Sequence, residues 1–241
     1  MPSFAPAPAL AGVLLLLLPH AQDPRVVAPR SYTLAFENER VRVTRVHYAP
    51  REKVPVHDHP DSPTVYVYLR DSGPVRFVHT GEEAFTLVRP ALKAGGFRLS
   101  RGTKERHSVE SLTDLPTDFL RIELKGFTPA ERGGFHGRFP PEPRATRRGA
   151  QKVRYEDARV RIARVTCPAR GRCDGLSAPG AASLVVALSD ATLRSAGGAT
   201  ELTLETGQTM WAEAGAAPTF ENASARPAEF LRIDLKSASG R

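Results

Sequence analysis

The run FENERVRVTRV at residues 36–46 returns as YEDARVRIARV at residues 155–165, at an offset of 119 residues. The register between the two runs continues without a gap as far as Leu69 and Leu188. A second pair, FLRIELK at 119–125 and FLRIDLK at 230–236, is offset by 111 residues. The two offsets differ by eight residues, so the chain contains a tandem repeat whose second copy is shorter in its middle.

Within each copy the apolar and polar residues alternate, most clearly at 40–46 and 119–125. This period of two is typical of half-buried β-strands, and the many Gly and Pro residues (19 and 21) favour short strands joined by turns. About six to eight strands per copy would form a sandwich or small barrel. We therefore predict an all-β fold with one barrel at 31–127, a Pro/Arg-rich linker at 128–150 and a second barrel at 151–237.

The composition is that of an ordinary globular protein, with 41% hydrophobic and 25% charged residues among 241. The net charge of +8 raises the question of nucleic-acid binding. However, many of the arginines lie in the predicted linker, without interleaved aromatic residues for base stacking and without a recognition helix. We expect no nucleic-acid partner, and a basic linker exposed to solvent explains the charge.

The N-terminal sequence has an apolar run at 9–18, which is the length of a signal-peptide core and too short for a normal transmembrane helix. Polar sequence follows at once, and Ala21 is suitable for cleavage. We therefore predict a signal peptide at 1–21 and a periplasmic or secreted protein. The segment before the apolar run has no Lys or Arg, so an uncleaved anchor is the alternative; after cleavage the protein would not be integral to a membrane.

Two cysteines, Cys167 and Cys173, are the only ones in the chain. They are close enough in sequence to close a small disulfide loop in an oxidising compartment. Metal ligation by this pair is the weaker alternative, because no histidine lies near it in sequence.

Three histidines form the most specific pattern in the chain. In the run His57-Asp58-His59 both imidazoles fall on the same face of a strand, and His107 lies in a second strand-like segment. Two histidines at i and i+2 plus a third from a neighbouring strand would form a three-nitrogen metal site with open coordination positions. Neutral imidazole suits Fe, Mn, Zn, Ni and Cu, so the sequence predicts a divalent metal ion without identifying it.

The spacing of these histidines resembles the cupins, whose first motif is G-x5-H-x-H-x3,4-E-x6-G. His57 and His59 match the two histidines of that motif, and Thr64 stands at the position of the usual Glu. Arg51 and Asp71 occupy the two Gly positions. The resemblance implies a cupin barrel, which is a double-stranded β-helix or jelly roll, with a metal site that lacks its carboxylate.

The second cupin motif, G-x5-P-x-G-x2-H-x3-N, is matched by Gly96 and His107, whereas Gly102, Lys104 and Ser111 replace its Pro, Gly and Asn. The second copy retains the Gly, Gly and Asn of this motif but no histidine at a ligand position. The residues of the second copy that align with His57, His59, Thr64 and His107 are Leu176, Ala178, Ser183 and Pro218. The resemblance therefore implies a tandem bicupin in which only the first barrel holds a metal.

Three other side chains of the first copy are candidates for the site. Tyr66 and Tyr68 share the parity of Thr64 and should face the same cavity, where a phenol could orient a substrate, although simple barrel packing explains them equally well. Glu105 shares the parity of His107 and is a possible substitute ligand. Some cupins, including the thiol dioxygenases, use three histidines alone, so the resemblance keeps oxygenase chemistry open.

We expect a metal-dependent oxygenase or isomerase that acts on a small organic molecule. The alternative is a non-catalytic small-ligand-binding or structural cupin of the cell envelope, because the cupin barrel hosts enzymes and binding proteins alike. Since the second barrel could replace the partner of a single-cupin dimer, both a monomer and a homodimer fit the sequence.

Overall fold

The computed structural model describes residues 22–81, 84–142, 150–195, 201–216 and 218–237. The predicted signal peptide at 1–21 lies outside the described residues. In the described part of the chain, no helix has the length and apolar character needed to cross a bilayer.

The first copy consists of nine strands preceded by one short helix, α1 (Pro24–Val27). The strands are β1 (Tyr32–Glu37), β2 (Val41–Tyr48), β3 (Lys53–His59), β4 (Thr64–Tyr68), β5 (Val75–His79), β6 (Phe85–Arg89), β7 (Phe97–Ser100), β8 (Glu105–Ser111) and β9 (Thr117–Leu124). The predicted linker contains a 3-10 turn at Pro129–Arg132 and a further strand, β10 (Gly137–Phe139). β10 pairs with β7 and so extends the first barrel.

The second copy repeats the same nine strands. They are β11 (Ala150–Glu156), β12 (Val160–Cys167), β13 (Gly171–Cys173), β14 (Ala182–Ala187), β15 (Ala191–Ser195), β16 (Glu201–Leu204), β17 (Thr209–Ala212), β18 (Phe220–Asn222) and β19 (Ala228–Leu235). A disulfide joins Cys167 at the end of β12 to Cys173 in β13, as the sequence suggested for an oxidised chain.

Each copy folds into two antiparallel sheets. In the first copy a large sheet has the order β1-β2-β9-β4-β7-β10 and a small sheet the order β3-β8-β5-β6. The second copy has β11-β12-β19-β14-β17 and β13-β18-β15-β16, which is the same order with each strand replaced by its repeat. This non-sequential order is that of a jelly roll, and it confirms the prediction of two tandem all-β barrels.

The repeat is equally visible in the strand register. Val41 pairs with Leu124 across β2 and β9, and Val160 pairs with Leu235 across β12 and β19. These pairs reproduce the two sequence offsets, because strand register is fixed wherever one face of a sheet is buried. The tandem repeat is therefore a repeat of structure as well as of sequence.

The two barrels pack through the outer faces of their large sheets. One continuous apolar cluster contains Val43 and Ile122 from the first barrel and Ile162 and Leu184 from the second, all fully buried. The contact is close at Gly207, which has a φ of +89° and where a Cβ atom would lie 2.6 Å from the Leu69 side chain. Because the outer face is covered by the other barrel, every residue of the central strands β9 and β14 is buried.

The inner face of the first barrel differs from the face that packs on the second. Along β2, Val41 and Val43 face the neighbouring barrel, whereas Val46 and Tyr48 belong to a separate cluster inside the first barrel. Because side chains alternate along a strand, one face of β2 packs against the other barrel and the opposite face lines the interior of the first barrel. All three candidate metal ligands lie in that interior.

Candidate metal centre

The three predicted ligands meet inside the first barrel. His57 and His59 lie on β3 and His107 lies on β8, the neighbouring strand, where it is the direct partner of His57. One ring nitrogen from each histidine can be chosen so that all three lie within 4.8 Å of one another. In the described residues no other group of at least three histidine, cysteine or acidic side chains has this proximity.

The three rings form a compact triangle. The centroids of His57 and His59 are 4.9 Å apart, those of His57 and His107 are 4.9 Å apart, and those of His59 and His107 are 5.1 Å apart. All three side chains are buried, and a register shift of β3 between Val54 and His57 places the pair of histidines at the end of the strand. Convergent buried imidazoles are the donor set of a divalent metal site.

Hydrogen bonds define which nitrogen of His57 is free to bind a metal. Its Nδ1 lies 2.8 Å from the Pro55 carbonyl oxygen, and since a carbonyl only accepts, Nδ1 must donate. The Nε2 lone pair then faces the Tyr32 hydroxyl at 3.0 Å, and that hydroxyl is 2.7 Å from the Tyr48 hydroxyl. A backbone acceptor that orients a ligating imidazole is a regular feature of metal sites.

The electrostatic environment keeps the imidazoles neutral, as metal binding requires. Burial lowers the pKa of His57 and holds the pKa of His59 well below its ordinary range. Burial, together with the nearby His57 and His79, lowers the pKa of His107 to about 2. The Nδ1 atom of His107 is buried and has no hydrogen-bond partner, which also fits a nitrogen available to a metal.

The position that carries Glu in typical cupins does not offer a carboxylate here. Thr64 on β4 is buried, and its hydroxyl donates to the Ser62 carbonyl oxygen at 2.9 Å. Glu105 lies opposite His59 across β3 and β8, and its Oε2 is 3.7 Å from His107 Nδ1. Glu105 thus lies beside the cluster, and the donors that converge are three neutral nitrogens.

A fourth histidine, to which the sequence analysis gave no role, packs against the cluster. His79 on β5 is the direct partner of His107 on the other side of β8, and their ring centroids are 4.9 Å apart. Its other face stacks on Phe85, with centroids 4.2 Å apart. The sequence around His79 gives no motif that points to the cluster. Only the pairing of β5 with β8 shows that His79 lies next to His107.

A buried arginine is the second feature that the sequence analysis missed. Arg121 on β9 donates from Nη1 to the Tyr66 hydroxyl at 2.6 Å and from Nε to Glu123 Oε1 at 2.9 Å. Burial alone would lower the pKa of Arg121, but Tyr66, Glu123 and Glu105 together raise it above its ordinary value. The Tyr66 hydroxyl therefore accepts a hydrogen bond from a side chain that stays positively charged. Tyr68 lies beside Tyr66 on the same face of β4.

Two cavities meet at this group of residues. The inner cavity has a volume of about 40 Å³ and is mostly apolar; its lining includes His59, His107, Tyr66, Tyr68 and Arg121. The second has a volume of about 360 Å³ and shares Tyr32, His59 and Arg121 with the first. The site is thus enclosed on one side and reached through a wider opening on the other.

The second barrel has an internal network in place of a metal site. Ser183, the counterpart of Thr64, donates to Asp234 Oδ1 at 2.8 Å. Arg232, the counterpart of Arg121, donates to Asp234 Oδ2 at 2.9 Å and to the carbonyl oxygens of Gly175 and Ser177. The loop after β13 therefore closes over the position that remains open in the first barrel.

No family model matches the sequence, and the comparison with curated proteins found no match. Solved structures do match. AerE from Microcystis aeruginosa is similar over 86% of this chain and 97% of its own, with 11% identity and a TM-score of 0.54. YhaK from Escherichia coli is similar over 86% of this chain and 92% of its own, with 15% identity and a TM-score of 0.57.

Oxalate decarboxylase from Bacillus subtilis, a protein with Mn(II) centres, is similar over 83% of this chain and 70% of its own, with 14% identity and a TM-score of 0.51. At such identities these likenesses concern the fold. Together with the strand order they show the fold, which is two tandem jelly-roll barrels of the cupin type. Its first barrel carries a three-histidine site for a divalent metal ion.

Proposed function

We propose that this chain is an exported bicupin that binds one divalent metal ion in its N-terminal barrel and acts there on a small organic molecule by oxygenation or isomerisation. The observation that carries the proposal is the convergence of three buried, neutral imidazoles in one barrel and their replacement in the other. Burial of three polar imidazoles side by side is costly, and binding of a shared metal ion would offset that cost.

Each residue of the site has a role that follows from its contacts. His57, His59 and His107 would hold the metal, which when bound supplies a Lewis-acid or redox centre with open positions. The Tyr32 hydroxyl donates to His57 Nε2, and if that nitrogen held a metal the hydroxyl would be available to donate to a bound molecule.

The walls of the site define what can bind beside the metal. The inner cavity has a mostly apolar lining, and the buried guanidinium of Arg121 supplies a fixed positive charge. Tyr66 and Tyr68 are positioned to contact a ligand, with Tyr66 already bound to Arg121. The wider cavity beside His59 gives access for a small molecule.

The likeness to oxalate decarboxylase supports a metal-bound cupin and makes Mn the first metal to test, with Fe, Zn, Ni and Cu as the others. It does not carry over the substrate of that enzyme. Export rests on the sequence at 1–21, and mass determination of the protein recovered from a periplasmic or secreted fraction would test it by the loss of that segment.

The experiment is elemental analysis of the purified chain, beside a His57→Ala/His59→Ala variant. We expect about one equivalent of a divalent metal in the native protein and almost none in the variant. His47→Ala is the matched control, because His47 is exposed and on β2, away from the cluster. Equal, negligible metal in the native protein and the double variant would refute the proposal.

A second candidate function is a non-catalytic ligand-binding or structural cupin of the cell envelope. The absence of a carboxylate at Thr64 and the small inner cavity favour it. The two functions differ in a direct assay, because a binding protein would be stabilised by its ligand without a metal. Oxygen consumption or substrate turnover that depends on the bound metal would exclude it.

A further inference from the structure

Three arginines that have no ion pair among the described residues lie together at one side of the first barrel, and one of them, Arg89, also lines the inner cavity beside His59 and His107. Arg89 ends β6, Arg98 lies on β7 and Arg138 lies on β10. Arg98 and Arg138 are direct partners across β7 and β10. Like charges in this relation repel each other, and within the described residues none of the three arginines has an ion pair.

Part of this positive charge is buried. The Nε of Arg89 and the Nε and Nη2 of Arg98 are shielded from solvent and have no hydrogen-bond partner among the described residues. Burial and the neighbouring charge of Arg98 lower the pKa of Arg89, and the nearby Tyr66 and Glu105 only partly oppose this shift. A buried guanidinium without a partner is costly, so a fold retains one only where something else neutralises it.

Three arginines of the described residues are buried as whole side chains, and each of them is neutralised. Their ion pairs are Arg121 with Glu123, Arg164 with Glu229, and Arg232 with Asp234. A carboxylate thus accompanies each of these three arginines. The lack of one beside Arg89 and Arg98 distinguishes this group from the structural arginines.

Aromatic rings pack against the two half-buried guanidinium groups of Arg89 and Arg98. Arg98 lies over the Tyr66 ring, with its Cζ atom 3.9 Å from the ring centroid, and Arg89 lies over Phe77 at 4.7 Å. Stacking orients a guanidinium and leaves its N–H edge free for hydrogen bonds, but it does not neutralise the charge. Both groups are therefore held ready for an acceptor.

A cavity of about 240 Å³ lies beside these arginines. Its lining is basic: it contains the three arginines and Lys93 and no acidic residue. Lys93 is already paired with Asp71 at 2.6 Å, so the uncompensated charge comes from the three arginines.

We propose that Arg89, Arg98 and Arg138 form a binding site for the oxyanion group of a small acid, a carboxylate or a phosphate. Guanidinium groups bind such oxyanions with paired hydrogen bonds, which supply both the missing acceptors and the missing negative charge. The cavity volume suits one small group of this kind together with part of its carbon skeleton.

The position of the site deepens the proposed function, on which this step rests. Arg89 and Tyr68 line both this cavity and the inner cavity that reaches His59 and His107. A small acid bound at the arginines would therefore extend along Tyr68 toward the metal, and the substrate class would be small organic anions. The binding of the oxyanion itself requires no metal.

The test is a titration of the full chain with sodium phosphate and with sodium malonate, at ionic strength held constant with sodium chloride. We expect saturable binding, followed by calorimetry and by a rise in melting temperature. In Arg98→Gln and in Arg138→Gln the affinity should fall about 10-fold or more, because each loses a charge-assisted hydrogen bond. Arg101→Gln is the matched control, since Arg101 is exposed and follows β7 directly.

Binding of phosphate alone would identify a phosphate site, and binding of malonate alone a carboxylate site. No saturable binding by the native chain, or native affinity in both variants, would overturn the proposal. Arg138→Gln changes an exposed side chain and keeps the test valid if Arg98→Gln does not fold. The titration is carried out on metal-free and on metal-loaded protein. This separates the oxyanion site from the proposed metal function, because a chain that binds no metal can still be titrated with the anion.

Discussion

His57 and His107 are direct partners across β3 and β8, and their ring centroids lie 4.9 Å apart inside the first barrel. His79 on β5 is the partner of His107 on its other side, also at 4.9 Å. Three histidines therefore lie in one row across the small sheet, while His59 completes the metal cluster from the end of β3. This row raises the question of which histidines bind the metal.

We predict that His107→Phe abolishes metal binding and that His79→Phe leaves about one metal per chain. The reason is that His107 offers a nitrogen to the cluster, whereas His79 is not a member of the cluster and packs against the rings of His107 and Phe85. Phenylalanine keeps the ring packing in both variants. The measurement is the metal-to-protein ratio after dialysis, and an equal loss in both variants would mean that four histidines bind the metal.

Removal of the Tyr66 hydroxyl should destabilise the first barrel. Tyr66→Phe takes away the acceptor of Arg121 Nη1 and leaves a buried cation short of a hydrogen bond. We expect the free energy of unfolding to fall by about 1–3 kcal/mol, measured by urea denaturation. Tyr68→Phe is the control, with an expected change within about 0.5 kcal/mol; an equal loss in both variants would show that the Arg121 contact is not the cause.

The network of the second barrel should matter for stability and not for the metal. Asp234→Ala leaves the guanidinium of Arg232 buried without its carboxylate, and the side chains are 1% and 2% exposed. We expect a loss of about 3–5 kcal/mol in the free energy of unfolding. Asp174→Ala removes the partner of Arg172, where both side chains are 70% exposed, and should cost less than about 1 kcal/mol.

The metal content of folded Asp234→Ala should equal that of the native protein, because the network lies in the barrel without the histidines. A loss of metal in this variant with no loss of stability would contradict the separation of roles between the two barrels.

The disulfide should stabilise the second barrel. In Cys167→Ala/Cys173→Ala we expect the free energy of unfolding to fall by about 2 kcal/mol, because the unfolded chain loses a constraint on a short loop. A reducing agent should lower the stability of the native protein by a similar amount and leave the double variant unchanged. Two reactive thiols in the folded protein under oxidising conditions would show that the bond does not form.

Much of the architecture follows from the sequence because the repeat and the strand alternation are local signals. The offsets of 119 and 111 residues identify β12 as the repeat of β2 and β19 as the repeat of β9. The alternation of apolar and polar residues at 40–46 distinguishes the two faces of β2. The three ligands could be predicted because two are adjacent on one strand and the third falls at a characteristic motif spacing. The catalytic roles of Tyr66 and Tyr68 and the substitution of Glu105 as a ligand stay predictions.

The sequence by itself determined the tandem repeat, the all-β class and the histidines that converge, since these depend on periodicity and spacing along the chain. Only the tertiary structure decided which side chains surround these residues. It placed His79 against His107, Arg121 against Tyr66, and three arginines without ion pairs beside one cavity. These contacts depend on which distant strands become neighbours and in which register, and a shift of one residue would turn every side chain to the opposite face.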